Sequence, residues 1–249
     1  MSKIKTILTF LPILALPAVS LALECSQVKH RLAEFTVCQV NADQDEIKLF
    51  HTDPRSNKPF GSFKNLQEFL APQHIELQMA MNAGMYHHDL SPVGLFIENG
   101  QTQNHIVTLA GPGNFGMLPN GVFCIQKERA TVIESRQFVQ QQMICDFATQ
   151  SGPMLVIDGM LHPRFLENSN SLFRRNGVGT SHNGQIIFFA ISEQPINFYT
   201  FGTLFRDVLN VQQALYFDGK VSRLFAPMHN RNDLGPWMGP IVGVIKKVK

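Results

Sequence analysis

The chain has 249 residues, of which 44% are hydrophobic and 16% are charged, and its formal net charge is +2. A composition this apolar excludes a largely disordered chain, because enough surface can be buried to offset the entropy of ordering the backbone. The small net charge gives no sign of a broad basic surface, so nucleic acid is not an expected partner.

The first 22 residues have the pattern of a secretory signal peptide. Two lysines precede an apolar stretch that is short for a membrane span, and cleavage after Ser20 or Ala22 fits the small residues found there. We therefore expect residues 1–22 to be removed and residues 23–249 to form an exported domain, periplasmic or secreted. No stable membrane insertion is expected after cleavage.

Four cysteines remain in the mature chain, and an even number in an exported protein indicates disulfides. Three pairings can form among Cys25, Cys38, Cys124 and Cys145. We predict Cys25–Cys38 and Cys124–Cys145, because each closes a short loop between neighbouring segments. Zinc ligation is less favoured, since the sequence has no Cys-x-x-Cys pair.

Short apolar runs separated by turn residues such as Asn-Gly, Asp-Gly and Gly-Pro dominate the chain. Strands are predicted at 35–40, 47–51, 77–81, 93–98, 105–109, 121–126, 130–134, 154–157, 184–191 and 214–217. Helices are predicted at 63–70, 136–142 and 200–209, the first from apolar residues at helical spacing before Pro72. No low-complexity linker interrupts this pattern. We predict a mixed α+β fold: one compact domain of twisted, largely antiparallel sheets with a few helices.

Two pairs of segments resemble each other within the chain. Residues 80–101 are similar to 148–160, and residues 119–135 are similar to 175–192. An old duplication would give two pseudo-repeated halves whose sheets face one another. Recurrent turn residues account for the similarity equally well, because short glycine-centred matches arise by chance.

Polar residues accompany glycines at four predicted strand ends, in segments 82–89, 150–154, 174–179 and 218–222. Loops at the ends of rigid strands often converge on one pocket, so we expect these segments to form the functional site. Neither a metal nor a cofactor is expected. His87 and His88 are adjacent, and on an extended segment they would point in opposite directions.

Asp218 follows the apolar run at 214–217 and precedes Gly219. An Asp-Gly pair is typical of a tight turn, in which the carboxylate accepts hydrogen bonds from nearby amides. The alternative is a carboxylate held in a partly apolar cleft, where its pKa would rise and it could act as an acid. Ser151 is a weak nucleophile candidate, because the Gly-x-Ser-x-Gly pattern of a hydrolase elbow is missing.

Six segments in order, MNAGMY, PVGLFIENG, GNFGMLPNGVF, SGPMLVIDG, RRNGVG and ALYFDGKVS, resemble the phosphodiester glycosidase family over about residues 76–245. The resemblance implies an exported α/β-type domain that removes a sugar from a sugar–phosphate diester. A cell-envelope glycan of that type is therefore the expected partner. The alternative is a binding protein of the cell envelope that keeps the pocket without turnover.

The family segments map onto this sequence residue by residue. Asn82, Gly84 and Tyr86 match the Asn-(Ala or Gly)-Gly-aromatic segment, and Gly152 matches the glycine of Gly-Pro. The remaining matches are Arg175 and Gly179 in Arg-Thr-Ala-x-Gly, and Asp218, Gly219 and Ser222 in Leu-Asp-Gly-Gly-Gly-Ser. This sequence departs from the family at Asn176 and Gly177, which replace Thr and Ala, and at Lys220 and Val221, which replace glycines.

The chemistry of such a substrate gives the matched residues expected roles. Arg175 would anchor the phosphate, because a guanidinium suits phosphate oxygens, with Arg174 or Lys220 assisting. Asp218 would stabilise the positive charge at the anomeric carbon, attack that carbon, or activate water. Asn82 would hold the sugar's amide or hydroxyl groups.

Tyr86 would stack on the sugar ring or donate a hydrogen bond to it. Gly84, Gly152, Gly179, Gly219 and Ser222 would line the substrate. Most glycosidases use a second carboxylate. Asp89 is the first candidate, and Asp158 and Glu193 follow.

Overall fold

The computed structural model describes residues 23–248, so the predicted signal peptide at 1–22 lies outside the described residues. Nineteen strands lie within the described part of the chain, and their pairings are antiparallel. They are β1 (Glu24–His30), β2 (Ala33–Asn41), β3 (Glu46–Phe50), β4 (Thr52–Asp53), β5 (Lys58–Pro59), β6 (Ile75–Asn82), β7 (Phe96–Glu98), β8 (Gln101–Asn104), β9 (Gly121–Gln126), β10 (Arg129–Glu134), β11 (Phe147–Ser151), β12 (Met154–Ile157), β13 (Met160–Leu161), β14 (Asn176–Thr180), β15 (Ile186–Ser192), β16 (Gln213–Asp218), β17 (Leu224–Ala226), β18 (Arg231–Asn232) and β19 (Ile241–Lys247).

Three sheets carry the fold, and a small ribbon of β4 and β5 accompanies them. The seven-stranded sheet has the order β1-β2-β15-β14-β16-β12-β13. The β9 sheet has the order β10-β9-β11-β7-β8, and the β6 sheet has the order β18-β17-β6-β19-β3. Most neighbours in these orders are distant in sequence, so the sheets form only when the whole domain folds.

The central core is shared by all three sheets. Its buried side chains include Val40 of β2, Met79 of β6, Phe123 of β9 and Leu215 of β16. Side chains alternate between the two faces of a strand, which lets each sheet present one face to this core. The core therefore fixes the ends of β6, β14 and β16 relative to one another.

Three short helices cover the outer faces of the sheets: α1 (Phe63–Leu70), α2 (Ser135–Gln140) and α3 (Phe198–Thr203). Ser62 caps α1 by accepting a hydrogen bond from the Asn65 amide at 3.1 Å, as expected for an N-cap. The described chain contains no helix long and apolar enough to cross a membrane.

The predicted helix at 63–70 is confirmed residue for residue, and those at 136–142 and 200–209 are confirmed with shifted ends. The third helix begins at Phe198 and, after Thr203, changes to a π-helical turn over Leu204–Val208. Both predicted disulfides are present, Cys25–Cys38 and Cys124–Cys145. Cys25 and Cys38 are direct partners in the β1–β2 register.

The prediction of a strand at 105–109 is wrong. Val107 pairs with a side chain instead of a strand: its amide donates to Gln150 Oε1 at 2.9 Å, and its carbonyl accepts from Gln150 Nε2 at 2.5 Å. A buried side-chain amide has one donor and one acceptor face, so it replaces the partner that a strand would have needed.

The sequence signal missed β1, β4, β5, β8, β11, β13, β14, β17, β18 and β19. β14 has the sequence NGVGT, and glycine in a strand normally weakens it. Here the glycines are required by packing, since a Cβ at Gly179 would lie 2.7 Å from the Phe205 ring and 2.9 Å from Val211. Of the segments in the suggested duplication, 80–101 and 148–160 each pass from one sheet to another, whereas 119–135 and 175–192 each stay within one sheet. The duplication itself stays a prediction.

Candidate functional site

Asn82 and Asn176 join the ends of two strands from different sheets. Asn82 is the last residue of β6 and Asn176 the first of β14, and both are completely buried. Asn176 Nδ2 donates to the Asn82 carbonyl at 2.8 Å, and Asn82 Nδ2 donates to Asn176 Oδ1 at 3.3 Å. Ser222 Oγ also donates to Asn176 Oδ1, at 3.1 Å. This network ties the β6 sheet to the seven-stranded sheet where the site forms.

Asp218 ends β16 opposite Asn176, at a register shift between β14 and β16. One of its carboxylate oxygens accepts the Gly219 amide at 2.5 Å and the Lys220 amide at 3.0 Å. Burial nevertheless raises the pKa of Asp218, although these amides and the Lys220 charge oppose that effect. The turn interpretation of the Asp-Gly pair is confirmed, since the carboxylate accepts from both following amides. The raised pKa agrees with the second interpretation, and the catalytic role stays a prediction.

Tyr216 lies two residues before Asp218 on β16 and close to Arg175. Burial raises the pKa of Tyr216; the Arg175 charge opposes the rise and the Asp218 charge adds to it, so the phenol lies within reach of both. The Arg175 Cζ is 3.6 Å from the centre of the Phe198 ring and 5.3 Å from that of Tyr216. Arg175 is 0% exposed, and burial lowers its pKa.

The Arg175 guanidinium is positioned by backbone carbonyls. Nε donates to Ile196 O at 2.9 Å and one terminal nitrogen, Nη2, donates to Ser171 O at 2.9 Å. The other terminal nitrogen, Nη1, is buried and makes no hydrogen bond within residues 23–248. The Tyr216 side chain acts on the pKa of Arg175 through its charge and as a hydrogen-bonding neighbour. Nη1 itself has no acceptor among the described residues.

Tyr86 is near both Asp218 and Arg223, since both charges act on its hydroxyl. Burial raises the pKa of Tyr86 to about 12; the Asp218 charge adds to this rise and the Arg223 charge opposes it. The Tyr86 hydroxyl donates to the Trp237 carbonyl at 3.3 Å. A phenol with this pKa stays protonated at neutral pH, so Tyr86 can donate a hydrogen bond.

Sequence reasoning missed Arg223, Tyr216 and Asn176 as parts of the site. Arg223 is 6% exposed, its amide donates to Asn82 Oδ1 at 2.9 Å, and its side chain donates to the Pro236 carbonyl. One signal was present, because Arg223 is a charged residue directly before the apolar run Leu224–Ala226. A charged side chain that is buried with its strand usually has a specific reason to be there.

Gly84, Gly152 and Gly219 lie where chain segments approach closely. Gly84 has φ +106°, a conformation that favours glycine, and a Cβ there would lie 2.8 Å from Thr149 Oγ1. A Cβ at Gly152 would lie 2.7 Å from Asn120 Cβ, and one at Gly219 would collide with the Tyr216 hydroxyl. Gly179, in contrast, lies further along β14 within the core, where it faces Phe205.

Arg174 and Glu193 belong to an ion network beside the site. Arg174 is 3.1 Å from Glu193, which Arg231 also contacts at 2.6 Å. Arg231 in turn contacts Asp233 at 3.0 Å. Burial alone would raise the Glu193 pKa, but Thr36 and the two arginines outweigh it, so the pKa is lowered. Glu193 therefore stays ionised and paired.

The other candidate carboxylates make contacts of their own, and none of those contacts involves Asp218. Asp89 accepts from Ser91 Oγ at 2.6 Å in an exposed loop, and these hydrogen bonds lower its pKa. Asp158 accepts from Gln213 Nε2 at 2.6 Å at an exposed turn. Within residues 23–248 no group of three or more His, Cys, Asp or Glu side chains is arranged to hold a metal ion.

Lys220 is exposed, whereas Ser222 is buried and donates to the Asp218 carbonyl at 2.8 Å. Asn82 uses both side-chain atoms within the network, so its geometry suits positioning of the neighbouring segments.

A cavity of about 550 Å³ lies elsewhere, lined by residues including Asp45, Glu46, Lys127 and Glu128. Asp218 does not line that cavity.

The sequence and fold were compared with known proteins. The family model described as phosphodiester glycosidase matches residues 76–234. The uncharacterized protein YigE of Escherichia coli strain K12 is 34% identical over 225 residues, which cover 90% of this chain and 85% of YigE. The matched region contains the whole Asp218 cluster, from Asn82 to Arg223, and excludes the part of the 550 Å³ cavity at 42–48.

Solved structures share the fold at low sequence identity. One is the catalytic domain of zebrafish N-acetylglucosamine-1-phosphodiester alpha-N-acetylglucosaminidase, auto-inhibited by its pro-peptide, with a TM-score of 0.60 and 17% identity over 91% of this chain and 84% of that one. Another is a hypothetical protein from Synechocystis, with a TM-score of 0.56 and 11% identity over 90% of this chain and 61% of that one. The family match, the relative and the site geometry lead to one conclusion: this chain belongs to the phosphodiester glycosidase family.

Proposed function

We propose that the protein is an exported hydrolase that releases a sugar from a sugar–phosphate diester, with N-acetylglucosamine 1-phosphodiesters as the first substrates to try. The observation that carries this proposal is the half-buried Asp218 carboxylate at the end of β16, whose pKa burial raises and whose charge acts on both Tyr86 and Tyr216. Two disulfides support export, because such bonds persist in oxidising compartments.

The reaction would break the bond between the anomeric carbon and the phosphate oxygen. The bonding electron pair leaves with the phosphate, water supplies the oxygen that bonds to the anomeric carbon, and a proton from that water is released. Asp218 is the group to stabilise the positive charge that develops on the sugar, or to take the proton from water. Its raised pKa favours the second task, because a base works best when its pKa lies nearer to the operating pH.

Arg175 would stabilise the phosphate as it leaves. Arg175 offers the unpaired Nη1, and a charge-assisted hydrogen bond from a guanidinium to phosphate is among the stronger polar contacts. Phosphate is already a good leaving group, so a strong general acid is not needed. Tyr86 can donate to the sugar or to the phosphate, whereas Asn82 and Asn176 act as positioning residues.

The proposal is tested by incubating the protein with sugar 1-phosphodiesters and analysing the products by mass spectrometry. Asp218→Asn should abolish sugar release while the circular dichroism spectrum stays unchanged. The matched control is Asp158→Asn, since Asp158 also precedes a glycine in a turn but lies exposed and away from the cluster. Full activity in Asp218→Asn would remove the catalytic role from this residue.

A second candidate function is binding of a cell-envelope phosphoglycan without turnover. The departure at Lys220 and Val221, where the family usually has glycines, favours it, because a lysine adds bulk and charge at the turn that holds Asp218. A thermal-shift screen followed by product analysis separates the two functions. Stabilisation by the ligand without any product would support binding alone.

A further inference from the structure

Two buried arginines belong to the Asp218 cluster, Arg175 beside Tyr216 and Arg223 close to Tyr86, and neither makes an ion pair within residues 23–248. Arg175 is completely buried and Arg223 is 6% exposed. The nearby ion network has two cations, Arg174 and Arg231, and two anions, Glu193 and Asp233, so its charges balance without Arg223. Burial lowers the pKa of both arginines, the expected result for enclosed cations, and at Arg223 the charge of Asp233 opposes this shift without cancelling it.

Arg223 also carries an unused donor. Its Nε is buried and makes no hydrogen bond in the described chain, while a terminal nitrogen donates to the Pro236 carbonyl. Buried donors are nearly always paired in native proteins, so an unpaired one in a functional site calls for a partner that binds there. The charge and the free donor point to the same partner, an anionic oxygen.

The segment over Arg223 is suited to admit such a ligand. Residues 234–237 are exposed, and Gly235 lies against the Arg223 side chain. Arg223 and Tyr86 hold this turn by donating hydrogen bonds to the Pro236 and Trp237 carbonyls, respectively. An anion with more than one oxygen can replace the Pro236 carbonyl as acceptor and reach Nε as well.

We propose that Arg223 binds a second negative charge of the substrate, so that the preferred substrate is a sugar diphosphate diester and not a monophosphate diester. The charges around Asp218 fit this class. The Lys220 charge acts on Asp218, and Arg175 and Arg223, which form no ion pair among the described residues, leave two positive charges for the ligand. A diphosphate diester carries two negative charges, whereas a monophosphate diester carries one.

This inference rests on the proposed function and adds the substrate class to it. The bond that breaks is still the one between the anomeric carbon and the proximal phosphate oxygen, and water is the co-reactant. Both phosphate charges leave together. Arg175 contacts the proximal phosphate, and Arg223, on the Tyr86 side of Asp218, contacts the distal one.

The kinetic test compares a diphosphate diester with the monophosphate diester of the same sugar and the same distal group. Two such pairs are used, one with a nucleoside and one with a short alkyl chain as the distal group. The wild-type protein should give a higher kcat/KM for the diphosphate in both pairs, by about 10- to 100-fold, the usual range for a charged hydrogen bond. A preference confined to one distal group would overturn recognition of the diphosphate itself.

Arg223→Met should remove this preference, mainly through a higher KM for the diphosphate diester. Its kcat/KM for the monophosphate diester should differ from the wild-type value by less than about 3-fold. Arg223→Lys should restore part of it, because the charge is kept and the planar donor geometry is lost. Arg129→Met is the control, since Arg129 is exposed at the start of β10. A purely structural role for Arg223 would lower activity on both substrates equally and would overturn the proposal.

A binding measurement separates this inference from the proposed hydrolysis. The melting temperature is recorded with inorganic pyrophosphate and with inorganic phosphate at constant ionic strength. Pyrophosphate should stabilise the wild-type protein more than phosphate does, and Arg223→Met should lose that difference. If this result holds without sugar release, the diphosphate site stands and the hydrolase proposal falls. If the wild-type protein hydrolyses both diesters equally and binds the two anions alike, the diphosphate site falls and the hydrolase stands.

Discussion

Asn176→Ala tests the most central feature of the site, the amide network between β6 and β14. The substitution removes the donor to the Asn82 carbonyl and the acceptor of the Asn82 side chain. Ser222 loses one acceptor but keeps the Asp218 carbonyl at 2.8 Å. Asn82 is completely buried, so its backbone carbonyl oxygen and its side-chain Nδ2 would both be left without a partner. Its Oδ1 would keep the Arg223 amide.

The size of the effect follows from these two groups. Each buried polar group that loses its partner costs about 1–3 kcal/mol, so Asn176→Ala should lower the free energy of unfolding by about 2–6 kcal/mol. A domain of this size has a total stability of about 5–15 kcal/mol. The variant should therefore fold at low temperature and melt much earlier.

Urea unfolding at pH 7, followed by circular dichroism, measures this difference. Asn183→Ala is the matched control, because Asn183 makes side-chain hydrogen bonds in an exposed turn and its loss should change stability by no more than about 0.5 kcal/mol. Equal effects of Asn176→Ala and Asn183→Ala would refute the reasoning, since the buried network would then contribute no more than a surface turn.

Three further predictions concern charge and cross-linking. Asp218→Asn should raise the melting temperature at pH 7 but not at pH 3, because the folded state raises the pKa of Asp218 and so disfavours the ionised form above its unfolded pKa. Burial raises the pKa of Glu98 from 4.5 to about 7, so wild-type stability should fall as the pH rises through this range. Glu98→Gln should remove this fall. At pH 8 its free energy of unfolding, measured by chemical denaturation, should exceed that of the wild-type protein by up to about 3 kcal/mol. The double variant Cys124→Ser and Cys145→Ser should lower the free energy of unfolding by about 3 kcal/mol in the same assay, because the disulfide closes a loop of 21 residues.

Much of the fold could be predicted from local patterns. Helix α1, the β9–β10 hairpin and the apolar run of β16 have clear periodicity or clear turn residues, and each was placed within a residue or two. β14 was missed because its strand is stabilised by packing against distant side chains, which a local pattern does not contain. The segment at 105–109 was misplaced for a related reason, since Gln150 supplies its hydrogen bonds from a distant part of the sequence.

In the site, too, some residues could be predicted from local sequence and others depend on distant contacts. Asp218 and Arg175 could be found from residue type and neighbouring glycines, and both lie beside Tyr216. Arg174 has the same residue type as Arg175, but adjacent residues on an extended chain point to opposite faces, and its side chain pairs with Glu193. The role of Arg223 depends on its burial under a turn that follows it in sequence, so only the folded chain reveals it.

The meeting of Asn82, Asn176 and Ser222 has a consequence for how the protein is made. Residues from the early, middle and late parts of the chain must all be in place before the site exists, so no truncated or half-folded product can carry it. A chain that still lacks its final strands is therefore expected to be inert. Activity, once an assay is in hand, is then a sensitive measure of complete maturation.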